Sequence, residues 1–289
     1  MSASHPITAR ADDAPGIRGI KFNRDWILRP LFGGALAAIV VAAIFGGAPY
    51  IALAGGIAGI AAAREWHRMI GERVFGPTFF IASAAIAAAL TAQVLWPHTY
   101  YAWAILGLGA AAAAAFAATN GQPALWHGLG PLYIGAALLC LLVLRGLPQG
   151  AWVIVGMFVA IWATDTGALI VGNLVGGPRL WPVLSPNKTW AGTLGGVAVA
   201  AVVEAAFIGF FGGNILFAAL LGACIGLVSV AGDLFESWTK RKFQRKDSGG
   251  LIPGHGGMLD RIDSTLFVAP VLALIVIVTG FSPMLGAHP

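Results

Sequence analysis

From Val74 to Leu144 the chain runs for 71 residues without an Asp, Glu, Lys or Arg. No soluble fold accommodates such a stretch, because an ordinary domain is about one-quarter charged and needs that surface to stay in water. A transmembrane helix takes about 20 mainly apolar residues, so this run has room for three crossings. A second uncharged run, Leu31 to Ala63, spans 33 residues and is too long for one upright crossing. Over all 289 residues, 58% are apolar and only 10% charged. That composition excludes a soluble enzyme, a disordered chain and a simple nucleic-acid-binding domain, despite a net charge of +5. Lipid is the solvent that suits it.

Turn-forming residues divide the runs. Gly46-Gly47-Ala48-Pro49 splits the first into two spans, and breaks at Trp96–Tyr101 and Thr119–Pro123 split the second into three. Trp and Tyr at these breaks suit the membrane interface. A sixth span is expected over 150–172, a seventh over 191–211, an eighth over 214–235, and a ninth after Asp263, ending near Phe281. The fold class expected is therefore all-α, a polytopic membrane protein of about nine transmembrane helices. With the N-terminus in the cytoplasm and the C-terminus outside, sixteen of the seventeen Lys and Arg residues fall on the cytoplasmic side; only Arg145 does not. One span more or fewer between the basic segments would break this parity.

The organisation that follows has three parts. Residues 1–30 form a polar cytoplasmic tail, whose Asp12, Asp13 and five Lys or Arg ahead of the first apolar run do not resemble a cleaved signal peptide. Residues 31–149 form an N-terminal bundle of about five helices. Residues 150–289 form a C-terminal bundle of about four, with cytoplasmic loops at 173–190 and 236–263, and the polar residues gathered there make it the candidate catalytic part. Cys140 and Cys224 sit singly in apolar runs, so neither a disulfide framework nor a zinc site is expected. Glycines four apart, at 192/196, 209/213, 222/226 and 55/59, allow close helix packing, within one chain or at a homodimer face.

Acidic residues inside spans cost about 2.5–3.5 kcal/mol each at the bilayer centre and so require explanation. Glu204 has no polar neighbours and reads as structural, whereas Asp165, in Ala-Thr-Asp-Thr-Gly, reads as either a structural or a functional polar pocket. Asp233 opens a segment rich in both charges and glycine, running to Asp263. Asp260 and Asp263 are three apart and share a face if a helix begins there. With Asp233 they make a set of hard oxygen ligands suited to Mg²⁺, with a second metal ion also compatible. Lys240, Arg241 and Lys246 would neutralise phosphate oxygens, and Gly254, Gly256 and Gly257 would let backbone N–H groups approach an anion. A lipid-headgroup anchor would explain the bases but neither the acids nor the glycines. On the same side by parity, Ser185, Lys188 and Thr189 precede an apolar helix, the composition of either an anion site or an ordinary helix cap.

These residues resemble the phosphatidate cytidylyltransferases, or CDP-diacylglycerol synthases. The resemblance runs from Ser237 through Lys240-Arg241, Lys246-Asp247, Pro253 and His255-Gly256-Gly257 to Asp260-Arg261-Ile262-Asp263. Two upstream blocks, Asp165-Thr166-Gly167-Ala168 and Ser185-Pro186 with Lys188-Thr189-Trp190, are also similar to the family's. Thr239, Leu169 and Ala191 depart from its usual residues. The resemblance covers roughly 160–265. It implies transfer of CMP from CTP to phosphatidic acid, giving CDP-diacylglycerol and pyrophosphate, with Mg²⁺ on Asp233, Asp260 and Asp263, and Lys240 in the catalytic set. Substrate contacts are implied for Ser185, Lys188, Thr189, Ser237, Arg241, Lys246, Asp247, His255, Gly256, Gly257, Arg261 and Asp165. His255 would be a phosphate donor or a loop brace. The implied setting is a bacterial-type cytoplasmic (inner) membrane with the site facing the cytoplasm, membrane lipid as partner, no nucleic acid, and a homodimer. Rival readings are a CTP-dependent enzyme acting on another lipid phosphate or a polyprenol, and a cation-coupled transporter using the intramembrane acids.

Overall fold

The structure, a computed structural model, describes residues 25–71, 75–245, 247–251 and 256–279, the side chains of 25–32 excepted. Most of the N-terminal tail, Arg73, Lys246, Pro253, Gly254, His255 and the expected end of the last span near Phe281 lie outside them. Nine helices stand among the described residues: α1 Asp25–Gly46, α2 Ala48–Met69, α3 Pro77–Leu95, α4 Tyr101–Thr119, α5 Ala124–Arg145, α6 Gly150–Val175, α7 Trp190–Phe210, α8 Ile215–Lys242 and α9 Leu259–Thr279. Seven of them, α3 to α9, are long and apolar enough to cross a membrane. The protein is an all-α polytopic membrane protein. Helices are the natural solution in hydrocarbon, because each satisfies its own backbone polar groups where no water can.

Breaks between helices fall at the expected turn residues. Pro49 and Pro77 each open a helix in the first turn, where a missing N–H costs nothing. α2 is less apolar than its neighbours because Arg64, Glu65 and Arg68 occupy its last two turns. Three boundaries differ from expectation. Loop 173–190 contains a two-stranded hairpin, β1 Arg179–Trp181 against β2 Ser185–Thr189, antiparallel with Arg179 opposite Thr189. α8 continues to Lys242, so Ser237, Lys240 and Arg241 lie on helix rather than loop. α9 begins at Leu259, which puts Asp260 and Asp263 inside the helix.

The length of α8 explains its reach. Twenty-eight residues span about 42 Å, against about 30 Å of hydrocarbon. Asp233 lies about 27 Å along the axis from Ile215, so the charged last turns of α8 follow a stretch nearly as long as the hydrocarbon is thick.

α5 is the most enclosed of the seven spans and joins the two halves, packing on α2, α3 and α4 on one side and on α6 and α9 on the other. α6, α7 and α8 pack in sequence along glycine seams. A Cβ at Gly196 would stand 2.5 Å from the Thr164 carbonyl oxygen, one at Gly192 3.1 Å from the Cα of Gly172, and one at Gly226 3.2 Å from the Cα of Val197. The glycine steps at 192/196 and 222/226 are therefore used inside this chain, not held free for a dimer face. Arg145, the one base left outside by the parity count, donates from Nε to the Ile44 carbonyl at 2.8 Å and satisfies the end of α1.

Candidate active site

Three elements meet where the polar residues collect: the hairpin ahead of α7, the last turns of α8 and the first turns of α9. Thr189 is the N-cap of α7, its Oγ1 accepting from Gly192 N at 3.0 Å, which fixes the direction in which β2 leaves the helix. Lys188, one residue earlier, reaches across to Asp233 of α8 and forms an ion pair with its Oδ2. The other oxygen of Asp233 accepts from Ser264 Oγ of α9 at 2.8 Å, and Ser229 Oγ donates to Ser264 Oγ at 3.0 Å. Close approach of α8 and α9 makes these contacts possible: a Cβ at Gly232 would lie 3.2 Å from Ser264 Cα.

A second wing stands beside the first. Lys240 Nζ donates to Asp260 Oδ1 at 2.7 Å and lies 3.3 Å from Glu236 Oε2, one helical turn back. Asp260 Oδ2 accepts from Ser248 Oγ at 2.8 Å and from Gly257 N at 3.0 Å. Asp263, whose Oδ1 accepts from Ser264 N at 2.8 Å, lies between the wings, close enough to interact electrostatically with Asp233 and Glu236. Asp165 of α6 is exposed and close enough to interact electrostatically with Asp233, Lys188 and Arg261.

The structure thus brings Asp233, Asp260 and Asp263 to one end of the bundle but divides them between two wings. Among the described residues, no three His, Cys, Asp or Glu side chains stand as a ready-made metal-ligand group. The donor chemistry nonetheless fits a divalent cation. The carboxyls of Asp233, Glu236, Asp260 and Asp263 are met by two ammonium groups, Lys188 and Lys240, and Glu236 Oε1 is buried without a described partner. Hard, crowded oxygens with excess negative charge are what Mg²⁺ selects.

Several of the expected residues are engaged by contacts within the protein. The N–H of Gly257 serves the protein's own Asp260 rather than an external anion. The Thr189 hydroxyl caps its helix, and Lys240 is held between two carboxyls. Ser185 and Ser237 are half-buried, while Arg241, Asp247 and Arg261 are exposed. Gly256 adopts φ +85°, a conformation that favours glycine. Lys246 and His255 lie outside the described residues. Glu204 packs instead against Gly156 of α6 and Gly222 of α8, within the glycine seams.

The sequence model of the cytidylyltransferase family matches residues 27–279, nearly the whole membrane bundle and every site element above. This chain belongs to the cytidylyltransferase family. Similar curated proteins include the phosphatidate cytidylyltransferase of Brucella suis biovar 1 (strain 1330), 45% identical over 154 residues, 52% of this chain and 56% of the relative. That of Staphylococcus haemolyticus (strain JCSC1435) is 42% identical over 147 residues, 50% of this chain and 56% of the relative. That of Staphylococcus aureus (strain COL) is 44% identical over 131 residues, 45% of this chain and 50% of the relative. The chain spans about half the length of the curated relatives it matches.

In this member of the cytidylyltransferase family, Glu236, Ser229, Ser248 and Ser264 join the network without having been singled out from sequence. Glu236 carried a signal, since it lies three residues from Asp233 and four from Lys240, on the same helical face. The serines carried none. An aromatic cluster seats the end of α8: Trp126 of α5 packs on Trp66, Trp238 and Phe243, with Lys242 Nζ 4.9 Å from the Trp126 ring. Indole rings with a lysine over them suit the boundary between lipid and water.

Proposed function

We propose that this chain transfers CMP from CTP to phosphatidic acid, yielding CDP-diacylglycerol and pyrophosphate. The observation that carries this reading is the two-wing array of carboxyls and lysines at one end of a membrane bundle whose sequence belongs to the cytidylyltransferase family. The reaction needs a site of this kind. The lipid's acyl chains stay in hydrocarbon while its phosphate meets a water-soluble nucleotide, so the reacting groups meet at the interface.

A phosphate oxygen of the lipid attacks the α-phosphorus of CTP. The new P–O bond forms as the bond from the α-phosphorus to the bridging oxygen breaks, and pyrophosphate leaves with the electron pair. The attacking oxygen is already anionic and needs no general base. Positioning and charge neutralisation dominate such transfers. Asp233, Asp260 and Asp263 would hold Mg²⁺, which when bound supplies positive charge to phosphate oxygens. Lys240, with Arg241 and Lys246, receives the triphosphate and the departing pyrophosphate. Lys188, with Ser185, faces the lipid phosphate from the α7 side. Gathering of the basic segments at this end supports a site on the cytoplasmic face of a bacterial-type inner membrane.

The test is incorporation of radiolabelled CTP into lipid by purified protein, with phosphatidic acid, polyprenyl phosphate or no acceptor, and with or without Mg²⁺. CDP-diacylglycerol formed only with phosphatidic acid and Mg²⁺ is the expected result. No product with phosphatidic acid, or efficient use of a polyprenyl phosphate instead, overturns the reading.

A further inference from the structure

Glu65 belongs to α2, in the half of the chain that carries none of the sequence motifs, and is 1% exposed. Its carboxyl reaches the segment that carries the Asp260 wing. Oε2 accepts from Leu259 N at 2.8 Å, the first amide of α9, across 194 residues, and lies 3.4 Å from Ser248 Oγ. Ser248 is the same hydroxyl that donates to Asp260. The flanking glycines are shaped around this carboxyl: a Cβ at Gly249 would stand 2.7 Å from Glu65 Cδ, and one at Gly257 2.6 Å from Oε2. Contacts that short do not occur, so a side chain at Gly249 must displace Glu65, and one at Gly257 must displace both Glu65 and Ser248, whose Oγ would stand closer still.

We infer that Glu65 is a positioning residue of the reaction, a clamp from the N-terminal bundle that sets Ser248 and the start of α9, and through them Asp260 and Lys240. The inference rests on the function proposed above for the same site. A carboxyl suits this task because it accepts the Leu259 amide strongly while its bulk sits against Ser248, whose one hydroxyl hydrogen goes to Asp260, and burial protects the amide bond from competing water. The clamp acts on one wing only. Lys188, Asp233, Ser264 and Ser229 are placed by contacts among β2, α8 and α9 that do not involve Glu65. Loss of Glu65 therefore disturbs the nucleotide side of the site and spares the lipid-phosphate side.

The experiment compares purified full-length wild type, Glu65→Ala, Glu65→Gln and Gly249→Ala by CTP turnover and by hydrogen exchange of the segment 247–259. In Glu65→Ala, kcat should fall about 10- to 100-fold and the KM for CTP should rise, with the KM for phosphatidic acid unchanged. Exchange in 247–259 should accelerate while α6 and α7 stay protected. Glu65→Gln keeps an oxygen acceptor for Leu259 N and should recover most of kcat, whereas Gly249→Ala should reproduce the loss with Glu65 intact. Wild-type kcat in Glu65→Ala, unchanged exchange in 247–259, or a Gln variant as impaired as Ala overturns the clamp. If Glu65→Ala does not fold, Gly249→Ala decides alone, and full turnover there overturns it. An inactive wild type counts against the proposed function instead, and the exchange comparison still reads the clamp.

Discussion

Lys188 and Asp233, 45 residues apart in sequence, form an ion pair that ties the hairpin ahead of α7 to the last turns of α8. The side chains are 31% and 21% exposed, so water reaches both and the pair is screened. Its value to stability is accordingly small, and its position at the membrane edge points to charge placement for a reaction. Asp233→Ala should lower turnover by at least about 100-fold while leaving membrane insertion and the melting profile unchanged. Lys188→Ala should raise the KM for phosphatidic acid and leave that for CTP near wild type. Steady-state kinetics with each substrate varied checks both.

Lys240 stands between Glu236 and Asp260, on the side assigned to the nucleotide. Lys240→Ala should raise the KM for CTP about tenfold or more. Arginine should not restore it, because a planar fork cannot replace a compact ammonium held between two carboxyls. An unchanged CTP dependence in Lys240→Ala would remove this role.

Crowding of Asp233, Glu236 and Asp263 makes the dependence on a divalent cation measurable in a single variant. Chelation should stop turnover in wild type, and added Mg²⁺ should restore it. Asp263→Asn should require about tenfold more Mg²⁺ for half-maximal rate, as expected when one of few carboxylate ligands is lost. Titration of rate against free Mg²⁺ reads the shift directly.

Gly196 meets the Thr164 backbone where α6 and α7 cross. Gly196→Val should cost about 1–3 kcal/mol by overpacking, seen as a melting temperature lowered by several degrees in detergent. A melt matching wild type would mean that the helices separate without penalty at this crossing.

Arg145 offers a contrasting case, because its bond to the Ile44 carbonyl lies at the opposite end of α5 from the Trp126 cluster beside the site. Arg145→Ala should destabilise the protein by about 1 kcal/mol and leave both KM values and kcat unchanged. Altered kinetics in that variant would show that the two ends are coupled.

Much of the fold was legible because lipid leaves so few options. A chain with no charge over 71 residues must cross a membrane, and Gly-Pro and Asn-Gly punctuation marks where each crossing ends. The helical ends of α8 and α9 were less legible. Charged residues read as loop, yet Lys240 and Asp260 hold each other on helices. Glycines 254, 256 and 257 stood out as a cradle for an anion. Gly257, together with Gly249, makes room for Glu65, and the N–H of Gly257 binds Asp260.

Residue order alone determined the all-helical membrane architecture, because hydropathy acts locally and survives in one dimension. Only the packed bundle decided which acid meets which base, that Glu236 and the serines join them, and that Glu65 reaches in from the other half. Those pairings depend on how closely glycine seams let helices approach, and no spacing along the chain records that distance.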